Sequence, residues 1–538
     1  MLRPPSPKPN PTYLAALAWA AALALGAGAG PALPPIVFVS RQAPPAGGEI
    51  PGFGPRGRAE IVGGRLLVRE PDGRIRSLLQ DGALFDVSHP SVAPDGRRVA
   101  FAAVKAAGEP WRLWVVGVDG GALAAVPVSA PGLDSAGAGG DDLQPCWAGD
   151  TTLVFASTRG AGRSTYGDVP STNLYAVSAA GGPMRRLTSE RNGAEAPSVA
   201  GPGGDLLFAR WWFNPWRASD RAAHGITRDA SLALPGDSVN LWQPMRLSGG
   251  AAPRVAAGDA RVRLRSMGYQ PIALPGGAVA AVYARNLGLF PRAGATGIWV
   301  FDTPFATPRR LAGAAVAESP ADPYAAATGL AAPSACAPAA LPDGRLVFAY
   351  DPGARGDFGL WVAGRDGRGL TRLVDLPGTL ELDPTPVVVR RAPRPARAPA
   401  WLRPGLADGA PFGRGPKGTF TFHDVDVFGG AGAAGGRGDA PPRTSGARLR
   451  FFALADSGAV GSGEPSLIRE VAVGARGQVL ERGLPADLPL FEQLVDGQGH
   501  PLMSAHGAAH VRGFNAGRPG IETRCVGCHV GHSTLPVP

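Results

Sequence analysis

Five residues near the end of the chain carry the most directly readable chemistry: Cys525-Val526-Gly527-Cys528-His529. Two thiols separated by two residues, with an imidazole directly after the second, match the two vinyl groups and the iron of a porphyrin. Thioether bonds from Cys525 and Cys528 would hold one covalent haem c, with His529 as the proximal iron ligand. The stretch also admits a second reading. Cys525, Cys528 and His532, with one upstream histidine, have the donor count of a Cys2His2 zinc site, although that set leaves His529 unused.

The opposite side of an iron needs a sixth ligand or an open position. Leu502 to His510 supplies three candidates: His506 or His510, with Met503 behind them. A methionine would raise the reduction potential relative to a second histidine, and an open position would admit substrate. His532 lies three residues after His529 and is expected to meet a propionate or a second metal instead. His423-Asp424 is the one nearby acid–base pairing, and it reads equally well as a solvated turn. No catalytic residue can be named from these types and spacings.

Haem attachment of this kind takes place outside the cytoplasm, so an export signal should accompany the motif. Arg3 and Lys8 precede an apolar run from Tyr13 to Leu25, and Ala27-Gly28-Ala29 fits the small-x-small cleavage pattern. This predicts a periplasmic or extracellular protein with no membrane span in the mature chain; an uncleaved segment would leave it membrane-tethered. Cys146 and Cys336 stand alone in different repeats and read as small buried apolar residues rather than a disulfide. The net charge of +10 is spread over arginines scattered among Gly, Ala and Pro. Without an aromatic-interleaved basic cluster, it does not describe a nucleic-acid-binding groove.

The elements that must position the motif come from a repeat. His89-Pro90-Ser91-Val92-Ala93-Pro94-Asp95-Gly96-Arg97-Arg98-Val99-Ala100-Phe101 reads as a strand, a Pro-Asp-Gly turn and a second strand, followed by Leu113-Trp114-Val115-Val116 and a further turn. Related units start near Pro145, Pro197, Pro271 and Pro338. A last start, Asp383-Pro384-Thr385-Pro386-Val387, lacks its second strand, and the missing pieces lie at Ile36–Arg41, Leu66–Arg69 and Pro71–Ile75. Five units and one split between the two ends predict an all-β, six-bladed propeller closed by its terminal strands. The surplus length, notably Arg210 to Ser238, predicts long loops; Trp211-Trp212-Phe213-Asn214-Pro215-Trp216 within it reads chiefly as packing between blades, with a partner or ligand surface as the alternative.

The expected layout is a signal peptide over 1–29, the propeller over 33–390 and a Pro-, Arg- and Gly-rich linker over 391–418. A small β-sandwich-like domain over 419–500 and a haem-binding segment over 501–538 complete it.

The repeats resemble the PD40 units of TolB-type propellers, in which a P-x-x-x-P-D-G line recurs. That line with Leu484-Pro485-Ala486-Asp487-Leu488-Pro489-Leu490-Phe491-Glu492-Gln493 and the terminal CxxCH resembles the hydrazine synthase alpha-subunit family over nearly all of the mature chain. The resemblance implies haem attachment at Cys525 and Cys528, with His529 next to the metal. It also marks departures: the sequence carries no second CxxCH, and Ser533 stands four residues after His529 where the enzyme has a tyrosine. Hydrazine synthesis is therefore not carried over. The expected function is a mono-haem c-type cytochrome that docks a redox partner protein through its propeller. The alternatives are a haem enzyme and a TolB-like binding module.

Overall fold

Each Pro-Asp-Gly run closes a hairpin for a local physical reason. Asp95, Asp343 and Asp72 accept hydrogen bonds from the backbone N–H two residues on, at 2.8, 3.0 and 2.9 Å. The glycines between them, Gly96, Gly344 and Gly73, take φ of 69°, 86° and 90°, where a side chain would be strained. The strands on either side then pair antiparallel.

The computed structural model describes residues 32–45, 50–129, 139–160, 163–164, 169–188, 190, 192–200, 204–214, 216–218, 226–228, 239–248, 253–258, 268–284, 296–304, 306–313, 333–390, 418–428, 441–454, 465–486, 490–503, 517, 520 and 522–525. Among these residues, six four-stranded antiparallel sheets form the blades of a propeller. The first strands of blades one to six are Asp86–Val92, Asp142–Trp147, Gly193–Ala200, Gly268–Ala273, Ser334–Ala340 and Leu380–Pro386. Each touches the first strand of the next blade, so they close a ring around the axis. The sixth blade is completed from the other end of the chain, in the order Leu380–Pro386, Ile36–Arg41, Gly64–Arg69, Ile75–Ser77. Every residue of Ile36–Arg41 is buried, which is why its apolar residues do not alternate.

All six first strands carry a bulge at an X-Pro pair. The residue before proline ordinarily stays extended. Here His89, Gln144, Ala196, Gln270, Ala337 and Asp383 take φ between 47° and 53°. Side chains from alternate blades hold that strain. Asp383, Gln144 and Gln270 accept hydrogen bonds from the backbone N–H of His89, Ala196 and Ala337 in the next blade, at 3.1, 2.7 and 2.8 Å. Each such residue costs about 1–3 kcal/mol, so this ring needs its neighbours.

After the propeller, two three-stranded sheets pack face to face. One orders Val479–Pro485, Thr419–Asp424 and Glu522–Cys525; the other orders Pro465–Ala472, Arg448–Leu454 and Leu490–Val495. Phe422 and Phe451 meet edge to face across the sandwich, with centroids 5.0 Å apart. Strand alternation turns Phe452 the other way, where it stacks on Phe491 at 5.1 Å. Both are buried in the apolar cluster that runs through the propeller, and this fastens the second sheet to it. Among the described residues, no helix is long and apolar enough to cross a membrane.

Candidate functional site

The loop leaving Ile36–Arg41 does not turn straight back into Gly64–Arg69. Its residues 50–62 form a strap with its own hydrogen bonds, Gly52 N–H to the Gly57 carbonyl and Arg58 N–H to the Gly54 carbonyl, at 2.7 and 2.9 Å. From the sixth blade the strap reaches the first, where Val62 N–H donates to Asp86 at 2.9 Å. The Trp111 indole of that blade donates to the Ala59 carbonyl at 2.9 Å. Arg58 meets Glu195 of the third blade at 2.8 Å. Phe53 packs on Tyr269 of the fourth, with centroids 4.7 Å apart. Blades one and four face each other across a six-bladed ring, so the strap crosses the axis.

Beneath it lies a buried polar network. Tyr269 donates to Glu195 at 2.5 Å and accepts from Gln144 at 3.0 Å. Burial and the adjacent Glu195 carboxylate hold the Tyr269 phenol well above its ordinary value. Arg41 and Asp86, both fully buried, make a bidentate pair at 3.0 and 2.7 Å. Burial lowers the His89 imidazole most strongly; Asp383 opposes this and Arg41 reinforces it. The His89 Nδ1 lies 2.6 Å from the Ser88 hydroxyl.

Gly52 seats the strap on this layer. Its φ is +84°, and a Cβ there would lie 3.0 Å from both His89 Cε1 and Ser88 Oγ and 3.1 Å from Arg41 Nη1. Gly52→Ala is expected to lower the unfolding free energy by about 2 kcal/mol, read as a lower denaturant midpoint. An unchanged midpoint would show that the strap is not seated there.

The terminal motif starts on a framed element. Strand Glu522–Cys525 runs parallel to Thr419–Asp424, with Asp424 opposite Cys525 and His423 opposite Arg524. The segment set apart for haem attachment thus contributes a strand to the sandwich. His423 and Asp424 do not form the acid–base pair considered from the sequence. They are consecutive strand residues, which point to opposite faces. His423 instead meets Glu522 through Nδ1 at 2.8 Å, while the buried Asp424 accepts the Asp426 N–H at 2.9 Å. Met503 is described and is 43% exposed. Cys528, His529, His506, His510, His532 and Ser533 lie outside the described residues. Among the described residues, no three His, Cys, Asp or Glu side chains are grouped to hold a metal ion.

The lone cysteines are as expected. Cys146 and Cys336 are unpaired and buried, and burial pushes the Cys146 thiol up to about 12 and Cys336 well above its ordinary range. Trp211 is buried and stacks on Trp242 at 5.5 Å. It sits in a strand, Asp205–Asn214, that runs on into the surplus segment expected from Arg210 to be loop. The Arg58–Glu195 and Arg41–Asp86 pairs carry no sequence signal, because nothing in spacing links partners 137 and 45 residues apart.

No protein-family model matches the sequence, and no curated protein matches it. Among solved structures, the chain is similar to the hydrazine synthase of Kuenenia stuttgartiensis, with a TM-score of 0.64 and 16% identity over 94% of this chain and 70% of that one. It also aligns with TolB of Acinetobacter baumannii, at a TM-score of 0.40 and 15% identity over 69% and 70% of the two chains. A putative TolB of Agrobacterium tumefaciens aligns at 0.36 and 12% over 66% and 93%. At such identities the first likeness shows a shared fold.

Proposed function

We propose that this chain is an exported protein carrying one covalent haem c on Cys525 and Cys528, with His529 as an iron ligand, and that it passes electrons to a partner protein. The observation that carries the reading is the donor set itself. Two thiols and an imidazole at Cys-x-x-Cys-His spacing fit the two vinyls and the iron of one porphyrin. The zinc alternative draws on the same two thiols but leaves His529 without a role.

The haem would supply a one-electron couple. The chain's own residues supply the mounting. Strand register fixes the backbone of Cys525 opposite Asp424, and the His423–Glu522 contact braces the strand three residues before the first thiol. Phe452 and Phe491 tie the partner sheet of that sandwich to the propeller, so the strand that ends at Cys525 belongs to a framework packed on it. His506 or His510, with Met503 behind them, are the candidates for the sixth ligand.

The test is to express the protein with its leader in a host that matures haem c, and to record the pyridine haemochrome spectrum. Wild type is expected to show one covalent haem per chain, and the Cys525→Ala/Cys528→Ala variant none. No covalent haem in wild type would overturn the proposal. A second reading, a haem enzyme, draws on the shared fold with hydrazine synthase. It is separated by ligand access, since rapid cyanide binding to the iron would favour it over electron transfer.

A further inference from the structure

We propose that the inner ends of the second, third and fourth blades form an arginine-recognition site, and that the strap keeps it closed by placing the chain's own Arg58 in it. This does not rest on the haem reading.

The site belongs to the blades. Glu195, fully buried on the first strand of the third blade, is its anion. Its Oε1 accepts from the Thr172 hydroxyl at 3.0 Å, and its Oε2 accepts from the Tyr269 phenol at 2.5 Å. Gln144 donates to that phenol from the second blade at 3.0 Å, while its Oε1 accepts the Ala196 N–H at 2.7 Å. None of these contacts involves the strap, so the carboxylate is held in place before any cation arrives. An aromatic wall stands beside it: Tyr269 meets Trp242 edge-on at 5.1 Å, and Trp242 stacks on Trp211 at 5.5 Å.

The occupant comes from elsewhere in the chain. One arm of the Arg58 guanidinium meets Glu195 Oε1 at 2.8 Å, and the other donates to the Pro170 carbonyl. A carboxylate and a carbonyl set apart in this way suit a planar fork and not a point charge, which selects arginine over lysine. Arg58 arrives on a segment closed by its own turns, and Phe53 beside it lies on Tyr269. The relation between blades and strap is that of a receptor and a tethered ligand. An arginine side chain from a partner has the chemistry to replace Arg58, and displacing Arg58 removes the strap's tie to the third blade.

Chemical rescue tests this on the full-length protein. Arg58→Ala is expected to unfold at a temperature several degrees below wild type. Millimolar ethylguanidinium should recover at least half of that loss along the logarithmic curve of a single bound ligand. Ethylammonium at the same concentration should recover none of it. The Arg58→Ala/Glu195→Gln protein should show no recovery with either. Should Arg58→Ala not fold, Arg58→Lys carries the same test. Its ammonium reaches Glu195 but not the Pro170 carbonyl as well, so ethylguanidinium displaces it and raises the midpoint. Equal rescue by both cations, rescue that survives loss of the Glu195 charge, or no rescue of either Arg58 variant would overturn the proposal.

Discussion

Replacing Asp86 with alanine is expected to destabilise the protein by about 3–5 kcal/mol, the range for removing one partner of a fully buried ion pair. Asp86 accepts four hydrogen bonds: two from Arg41, one from Val62 N–H in the strap, and one from Val87 N–H. Alanine removes all four and leaves the Arg41 guanidinium, with no exposed surface, without its carboxylate partner, its Nη2 still donating to the Glu60 carbonyl at 2.7 Å. Arg41 ends the N-terminal strand of the closing blade, so the damage falls on ring closure and on the strap together. The Arg41→Met/Asp86→Leu protein is the control. Removing both charges avoids the stranded cation, and the double variant is expected to be markedly more stable than Asp86→Ala. Denaturant midpoints of the three proteins provide the check. A loss below about 1 kcal/mol for Asp86→Ala would place the pair among those that contribute little.

The pair also shows where sequence reading runs out. Six prolines at blade-like spacing, with Pro-Asp-Gly turns between them, make the ring and its split sixth blade legible, because turn chemistry and strand alternation are local. The left-handed residue before each of those prolines was not legible, since that position favours extended backbone. At three of the six the neighbouring blade supplies an acceptor: Asp383 for His89, Gln144 for Ala196, Gln270 for Ala337. The polar layer under the strap is hidden for the same reason. Glu195 and Arg58 lie 137 residues apart in the sequence, and only blade order brings them together. The terminal motif is the reverse case. Its chemistry is legible from spacing alone, whereas the parallel pairing of Cys525 beside Asp424 depends on a strand about a hundred residues earlier.

Stability should fall as the pH rises through the range set by one carboxyl at the closing seam. Glu381 lies in the first strand of the sixth blade, opposite Ser40 of the N-terminal strand, and is fully buried. The Thr379 hydroxyl donates to its Oε1 at 2.8 Å, the Ser40 hydroxyl at 3.2 Å, and Leu376 N–H donates to its Oε2 at 2.9 Å. Burial outweighs these donors, the nearby Asp375 charge adds to it, and the carboxyl rises from 4.5 to about 7. The folded chain therefore holds a proton that the unfolded chain has released between these two values. Below pH 4.5 both states are protonated and nothing is lost; from 4.5 to about 7 stability declines, and above that it levels off. At 1.36 kcal/mol per pH unit, the loss is about 3 kcal/mol. Glu381→Gln cannot titrate, so the wild-type-minus-variant difference in unfolding free energy isolates this group from every other. That difference should drop by about 3 kcal/mol between acid and mildly alkaline solution, and the variant should be the more stable protein, relative to the acid limit, at pH 8. Urea unfolding of both proteins across this range decides it: a difference that stays flat would mean that the seam carboxyl titrates as it does in the unfolded chain.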